Sequence, residues 1–189
     1  MKNSTWSGRF KKGLDKQVLE FSESVSIDHL LFDSDIRVSL AHAEMLGECK
    51  IITKTEAKKL CKGLQQVKKK YYEGKLSLSI KHEDVHMNIE QALTKEVGEL
   101  GKKIHMGRSR NDLVATDFRL YLRDCADLIL AKIKDIRYAV ALVAKANFDV
   151  IFPGYTHMQL AQPVSFGHHL LAWHEMFARD EQRILQVKD

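Results

Sequence analysis

Residues Gly107 to Asp112 read Gly-Arg-Ser-Arg-Asn-Asp, and they place two guanidinium groups, a hydroxyl, an amide and a carboxylate within six positions. A long helical pattern begins directly after them. Backbone N–H groups at a helix N-terminus lack partners, and the positive end of the helix dipole favours an anion there. Arg108 and Arg110 can add planar, bidentate donors for a carboxylate or phosphate. Two readings follow. One is an anion site at the mouth of a helical bundle. The other is an ordinary helix start, with Ser109 or Asn111 as N-cap and the arginines solvated. The six residues alone do not separate them.

Three other groupings carry possible chemistry. Thr156-His157 lies in a turn after Pro153-Gly154, where a histidine can move protons near neutral pH; a satisfied turn histidine is the plainer alternative. His82-Glu-Asp-Val-His86 matches the zinc-protease string, but its context argues against a metal. The second histidine falls at the beginning of its helix, and positions 88 and 92 hold Asn and Ala where the extended string needs Gly and His. Asp84 and His86 are better placed at a helix start facing one pocket. His168, His169 and His174 lack ligand spacing for a single helix face and read as bundle positions. No metal is expected.

The elements that must position these groups are helical. The chain has two prolines, ten glycines and few β-branched runs. Helices are expected from about Asp15 to Ser22, from Asp33 to Leu46 with a stop at Gly47, and from Lys81 to Val97. Thr53-x-x-Glu56 is a capping box opening another that ends near Gly74. Residues 1–14 read as an irregular arm anchored by Trp6 and Phe10. From Asn111 to Phe152 there is neither Gly nor Pro. Apolar residues recur there at Phe118, Leu122, Cys125, Ile129, Ile133, Ile136, Val140 and Val143, close to a coiled-coil seam. Such a helix is roughly 50 Å long and needs a bundle to bury its seam. A tight loop should follow at Tyr155–Gln159, with Pro163 opening the next helix. Leu170, Trp173, Phe177 and Ile184 mark one face of it. If the two long helices are antiparallel, Asn111 and His157 cannot meet in one subunit but could meet between subunits. The expected division is residues 1–107 as an N-terminal helical domain and 108–189 as the first part of a long-helix bundle. The pattern runs uninterrupted into Asp189, which reads as a chain cut inside a helix, with a frayed natural terminus as the alternative.

Apolar content of 44% and charged content of 29% fit a soluble globular chain. No apolar run is long enough to span a membrane, and the N-terminus lacks the apolar core of a signal peptide. Cys49, Cys61 and Cys125 stand apart, as in a reduced, cytoplasmic protein. The net charge of +5 comes from residues 54–75, where eight lysines face Glu56 and Glu73. Few aromatics interleave them, so a solvated helix face is favoured over a nucleic-acid surface.

Four strings occur in order: Trp-Ser-Gly-Arg-Phe at 6–10, Glu-Asp-Val-His at 83–86, Gly-Arg-Ser-Arg-Asn-Asp at 107–112 and Pro-Gly-Tyr-Thr-His-Met-Gln-Leu-Ala-Gln-Pro at 153–163. Together they resemble the argininosuccinate lyase family of the fumarase/aspartase superfamily, over the whole chain. The resemblance implies an all-α fold of the fumarase/aspartase long-helix type, truncated within its central bundle, in a cytoplasmic homotetramer with active sites shared between subunits. It implies reversible cleavage of argininosuccinate to arginine and fumarate, with no cofactor and neither nucleic acid nor membrane as partner. It places Ser24, Asn111 and Thr156 as substrate contacts, His86 and Arg110 as further pocket residues, and His157 as the catalytic histidine. Leu113 stands where the family usually has Gln, which reads as local packing. The family's Ser-rich catalytic loop does not occur before Asp189, so this chain alone is expected to be inactive. The alternatives are a related lyase for another succinyl-type substrate, a non-catalytic helical assembly protein, and a nucleic-acid binder using the lysine-rich helix.

Overall fold

The computed structural model describes residues 15–188; the predicted arm with Trp6 and Phe10 lies outside them. Seven helices and one hairpin are described: α1 Lys16–Ser22, α2 Val25–Asp28, α3 Phe32–Glu48, α4 Lys54–Tyr72, α5 Val85–Val97, α6 Arg110–Ala146, β1 Ile151–Thr156, β2 Gln159–Ser165 and α7 Phe166–Lys188. Short 3-10 turns occupy His29–Leu31, Ile80–His82 and Gly98–His105. None of the described helices is long and apolar enough to cross a membrane. The chain divides into two compact units, Met1–Tyr121 and Leu122–Asp189.

The first unit is built on α3, α4 and α5. Apolar residues return at three- and four-residue steps and give each helix one buried stripe. Ile36, Ala43 and Leu46 of α3 meet Leu60, Leu64 and Val67 of α4 and Ile89, Leu93 and Val97 of α5. Each large side chain so buried contributes roughly 1.5–3 kcal/mol. The α4–α5 approach is close because Gly63 has no side chain: a Cβ there would lie 2.6 Å from Val97 Cγ1. The start of α4 is fixed by the expected capping box, in which Thr53 Oγ1 accepts from the Glu56 N–H and Glu56 accepts from the Thr53 N–H. Three lysines of this helix face acids: Lys68 faces Asp33, Lys69 faces Glu73, and Lys70 faces Glu96. Gly98, at φ +74°, closes α5, and the turn that follows brings the chain to the head of α6.

α6 runs unbroken for 37 residues. Its first turns belong to the first unit, where Leu113 and Asp117 are buried and Tyr121 packs on the core. Burial of Leu113 accounts for an apolar residue at that position. In the second unit, Leu130, Ile133 and Ala144 are buried, and Arg137–Glu181 and Asp127–Lys188 pair α6 with α7. Much of the predicted seam is open: Phe118, Leu122, Ile129, Ile136 and Val143 are exposed.

Three expectations need correction. The long helix stops at Ala146 and does not reach Phe152. Residues 151–165 form an antiparallel hairpin where a loop and a helix start were expected. Pro163 lies in β2 opposite Pro153, and α7 begins at Phe166. Each strand of a two-stranded ribbon has a free edge, where a proline gives up no ladder hydrogen bond. Finally, α5 begins at Val85, after a 3-10 turn that holds Lys81 and His82.

Candidate active site

The head of α6 is organised by Ser109. Its Oγ accepts from the Asn111 N–H at 3.2 Å, and its own N–H donates to Asp112 Oδ1 at 2.7 Å. This reciprocal cap makes Ser109 the N-cap and puts Arg110 and Asn111 in the first turn. The preceding segment is held from below. His42 Nε2 donates to the Met106 carbonyl at 2.8 Å. Gly107 turns the chain at φ +71°, a conformation that costs glycine nothing. Arg108 Nη2 then donates to Ser39 Oγ at 3.2 Å, and Ser39 Oγ donates to Asp35 Oδ1 at 2.8 Å.

Two other segments meet this one. Glu83 adopts a left-handed φ of +66°, uncommon for a side-chain-bearing residue. Its carbonyl accepts from the Ser24 and Val25 N–H groups at 2.8 and 3.1 Å. In return, the Val85 N–H donates to Asp28 Oδ1 at 3.0 Å. The exposed Ser24 is thereby laced to the start of α5, its hydroxyl donating to Asp28 at 2.6 Å. Asp84 caps α5 by accepting from the Met87 N–H at 2.6 Å, and its other oxygen lies 3.4 Å from Arg110 Nε. The first unit thus gathers Ser24, Asp84, Arg110 and the head of α6 that carries Asn111.

His86 is placed differently from these groups, none of which is buried. Its side chain is buried, with Nδ1 2.6 Å from Asp35 Oδ2 and 3.4 Å from Asp117 Oδ2. Burial alone would lower the imidazole pKa, but the hydrogen bond and charge of Asp35 outweigh it, and the net direction is up. Asp117 is fully buried. Burial first, and the Asp35 charge second, push its carboxyl up to about 7. Asp35, His86 and Asp117 bring three ligand-type atoms within 4.8 Å of one another. Arg108 acts electrostatically on both carboxylates, so one positive charge to set against the two is already built into the chain. Asp35, Ser39 and Asp117 were not singled out from the sequence. The one available signal was an acid at Asp117, four residues after Leu113 on the same inward stripe.

In the second unit, His157 and Met158 form a two-residue turn between Thr156 and Gln159. Both have positive φ, +49° and +62°, the geometry of a type I′ hairpin turn. Thr156, His157 and Met158 are all exposed. Asn or Gly normally occupies such a turn, and the strain of holding His and Met there is of the kind found at functional sites. His168 is exposed, His169 accepts from Trp173 Nε1 at 3.3 Å, and His174 faces Glu175.

A family profile described as "Lyase" matches residues 8–189. The chain belongs to this lyase family. It is 48% identical over 183 residues to argininosuccinate lyase of Nitrosococcus oceani, covering 97% of this chain and 39% of that protein. Argininosuccinate lyase of Pelotomaculum thermopropionicum is likewise 48% identical, with 97% and 40% covered. The chain thus spans about two-fifths of the length of the curated relatives it matches. Among solved structures, an EDDS lyase variant with bound fumarate superimposes with a TM-score of 0.74 at 29% identity, covering 90% of this chain and 33% of that one. A Brucella melitensis protein described as fumarate lyase:delta crystallin gives a TM-score of 0.71 at 18% identity, with 90% and 44% covered; this likeness supports the fold alone. The helical fold of this lyase superfamily, expected from the sequence strings, is therefore the fold of the chain, with the hairpin as its one described sheet.

Proposed function

We propose that this chain supplies the first part of an argininosuccinate lyase, which cleaves argininosuccinate reversibly to arginine and fumarate. The observation that carries the reading is the 48% identity to enzymes of that name over 97% of the chain. It is joined to a capped helix head that projects Arg110 and Asn111 beside Asp84. The reaction removes a weakly acidic proton from a carbon next to a carboxylate. The electron pair moves into a carbon–carbon double bond as the carbon–nitrogen bond breaks, and the departing nitrogen takes a proton. Negative charge builds on the carboxylate during the step, so fixed donors aimed at it lower the barrier. Arg110, Asn111, Ser24 and Thr156 are donors of the right type. His86 supports the same pocket from inside the unit. His157 supplies or orients an acid or base. No cofactor is required. The open seam of α6 calls for further helices to cover it, and the reading extends to a homotetramer with shared sites, in the cytoplasm, with no nucleic acid or membrane as partner.

The test uses a chimera in which this chain replaces the matching segment of the Nitrosococcus oceani enzyme. His157→Asn in that chimera should lower kcat by about a hundred- to ten-thousandfold while the oligomer stays intact. Unchanged turnover would remove His157 from the mechanism. A second reading, a lyase for a different succinyl-type substrate, draws on the likeness to EDDS lyase. Product analysis across several such substrates separates the two.

A further inference from the structure

The buried cluster beneath the head of α6 has an unbalanced charge. Asp35 comes from α3, His86 from α5 and Asp117 from α6, and Arg108 reaches in from the segment before α6. The first three are 1%, 3% and 0% exposed. Two carboxylates and one guanidinium leave one negative charge in a site closed to water. An uncompensated buried charge is far too costly to persist, so the cluster must hold at least one proton more than two ionised carboxylates and a neutral imidazole would carry. That proton can sit on the imidazole, facing Asp35 at 2.6 Å, or on Asp117, whose Oδ2 is 3.4 Å from the same Nδ1. Neither Asp117 oxygen has a hydrogen-bond partner, and neither do Arg108 Nε and Nη1. Asp117 is therefore held by charge, and Arg108 by charge together with its one hydrogen bond to Ser39, so the hold on both depends on the proton count.

The other charged groups facing the cluster are Asp84, which caps α5, Glu90 within α5 and Arg110 at the head of α6. The neighbouring face of α4 contributes Leu64, which is apolar. Arg108 precedes the N-cap Ser109 directly, so whatever fixes Arg108 also fixes the direction in which Arg110 and Asn111 leave the helix head.

We propose that Asp117 is a positioning residue: with His86 and Asp35 it forms one coupled proton-holding cluster, whose remaining negative charge anchors Arg108 and so sets the Gly107–Asp112 segment for anion binding. The importance of that segment rests on the lyase reading above; the coupled cluster does not.

The first measurement is a pH titration of the 189-residue chain, following the His86 imidazole and the Asp117 carboxyl by NMR. Both resonances should move in the same steps, as coupled groups do, and the last proton should leave above the ordinary histidine range. Independent titrations, with His86 at its ordinary value of about 6.5, would overturn the proposal without any variant. The second measurement uses Asp117→Asn. Removing one negative charge should lower the His86 midpoint by about one pH unit or more, a tenfold loss of proton affinity. Amide exchange across Gly107–Asp112 should also rise about tenfold at neutral pH, with α4 protection unchanged. An unmoved His86 midpoint in the folded variant would overturn the proposal. If the titrations behave as expected but the chimera releases no fumarate, the lyase reading fails and the coupled cluster stands.

Discussion

Asp117→Asn also makes a thermodynamic prediction whose sign follows from the cluster. The Asp117 carboxyl rises from 3.8 to about 7 on folding, through burial and the Asp35 charge. A group that holds its proton more tightly in the native state stabilises that state below its unfolded pKa and loses the contribution as pH rises through the folded one. His86, also raised, acts in the same direction over a higher range. Between about pH 4 and 7, native Asp117 carries one proton that the unfolded chain lacks, so stability should fall by about 1.4 kcal/mol per pH unit on its account. Over the whole interval the loss is on the order of 4 kcal/mol. Asparagine keeps the shape and cannot ionise. The assay is urea denaturation of both proteins across this pH range, followed by helicity, with the free energy extrapolated linearly. Carboxylates held low elsewhere, such as Asp33 beside Lys68 and Tyr72, favour the opposite slope but are common to both proteins. The difference between the two curves should therefore move steadily in favour of the variant as pH rises. Parallel curves would refute the reasoning and show that Asp117 carries no unusual proton.

Two further outcomes test the packing that supports the site. Gly63→Ala should destabilise the chain by about 1–3 kcal/mol, because the new Cβ would sit 2.6 and 2.7 Å from Val97 and Leu93 side-chain carbons; an unchanged urea midpoint would contradict the close α4–α5 contact. Thr53→Ala should cost about 1 kcal/mol by removing the acceptor for the Glu56 N–H, and a loss below a few tenths of a kcal/mol would deny the capping box an energetic role.

What the sequence could and could not reveal follows from the range of each interaction. The α4 capping box spans four residues and was legible as written. So was the start of α6, although choosing Ser109 over Asn111 as N-cap needed the two hydrogen bonds. The hairpin was missed because its signal is split. Pro153-Gly154 reads as a break and Pro163 as a helix start, whereas the two prolines are cross-strand partners, and a His-Met turn lacks the usual Asn-Gly signature. The proton-sharing cluster was illegible because its parts lie far apart in sequence: Asp35 and His86 are 51 residues apart, and an isolated aspartate on a helix reads as solvated. The apolar seam of α6 was legible as a sequence pattern, but Leu113, Asp117 and Tyr121 form the stripe turned into the first unit. Phe118 and Leu122, one residue further on, stay exposed.

The most direct measurement is fumarate release from argininosuccinate, made in parallel on the 189-residue chain and on its chimera with the remainder of the Nitrosococcus oceani enzyme. The expected result is silence from the helical chain alone, and release of fumarate and arginine in equal amounts from the chimera. Turnover by the chain alone would mean that the site is complete within these residues. A folded chimera that releases no fumarate would mean that Ser24, Arg110, Asn111, Thr156 and His157 do not serve this reaction.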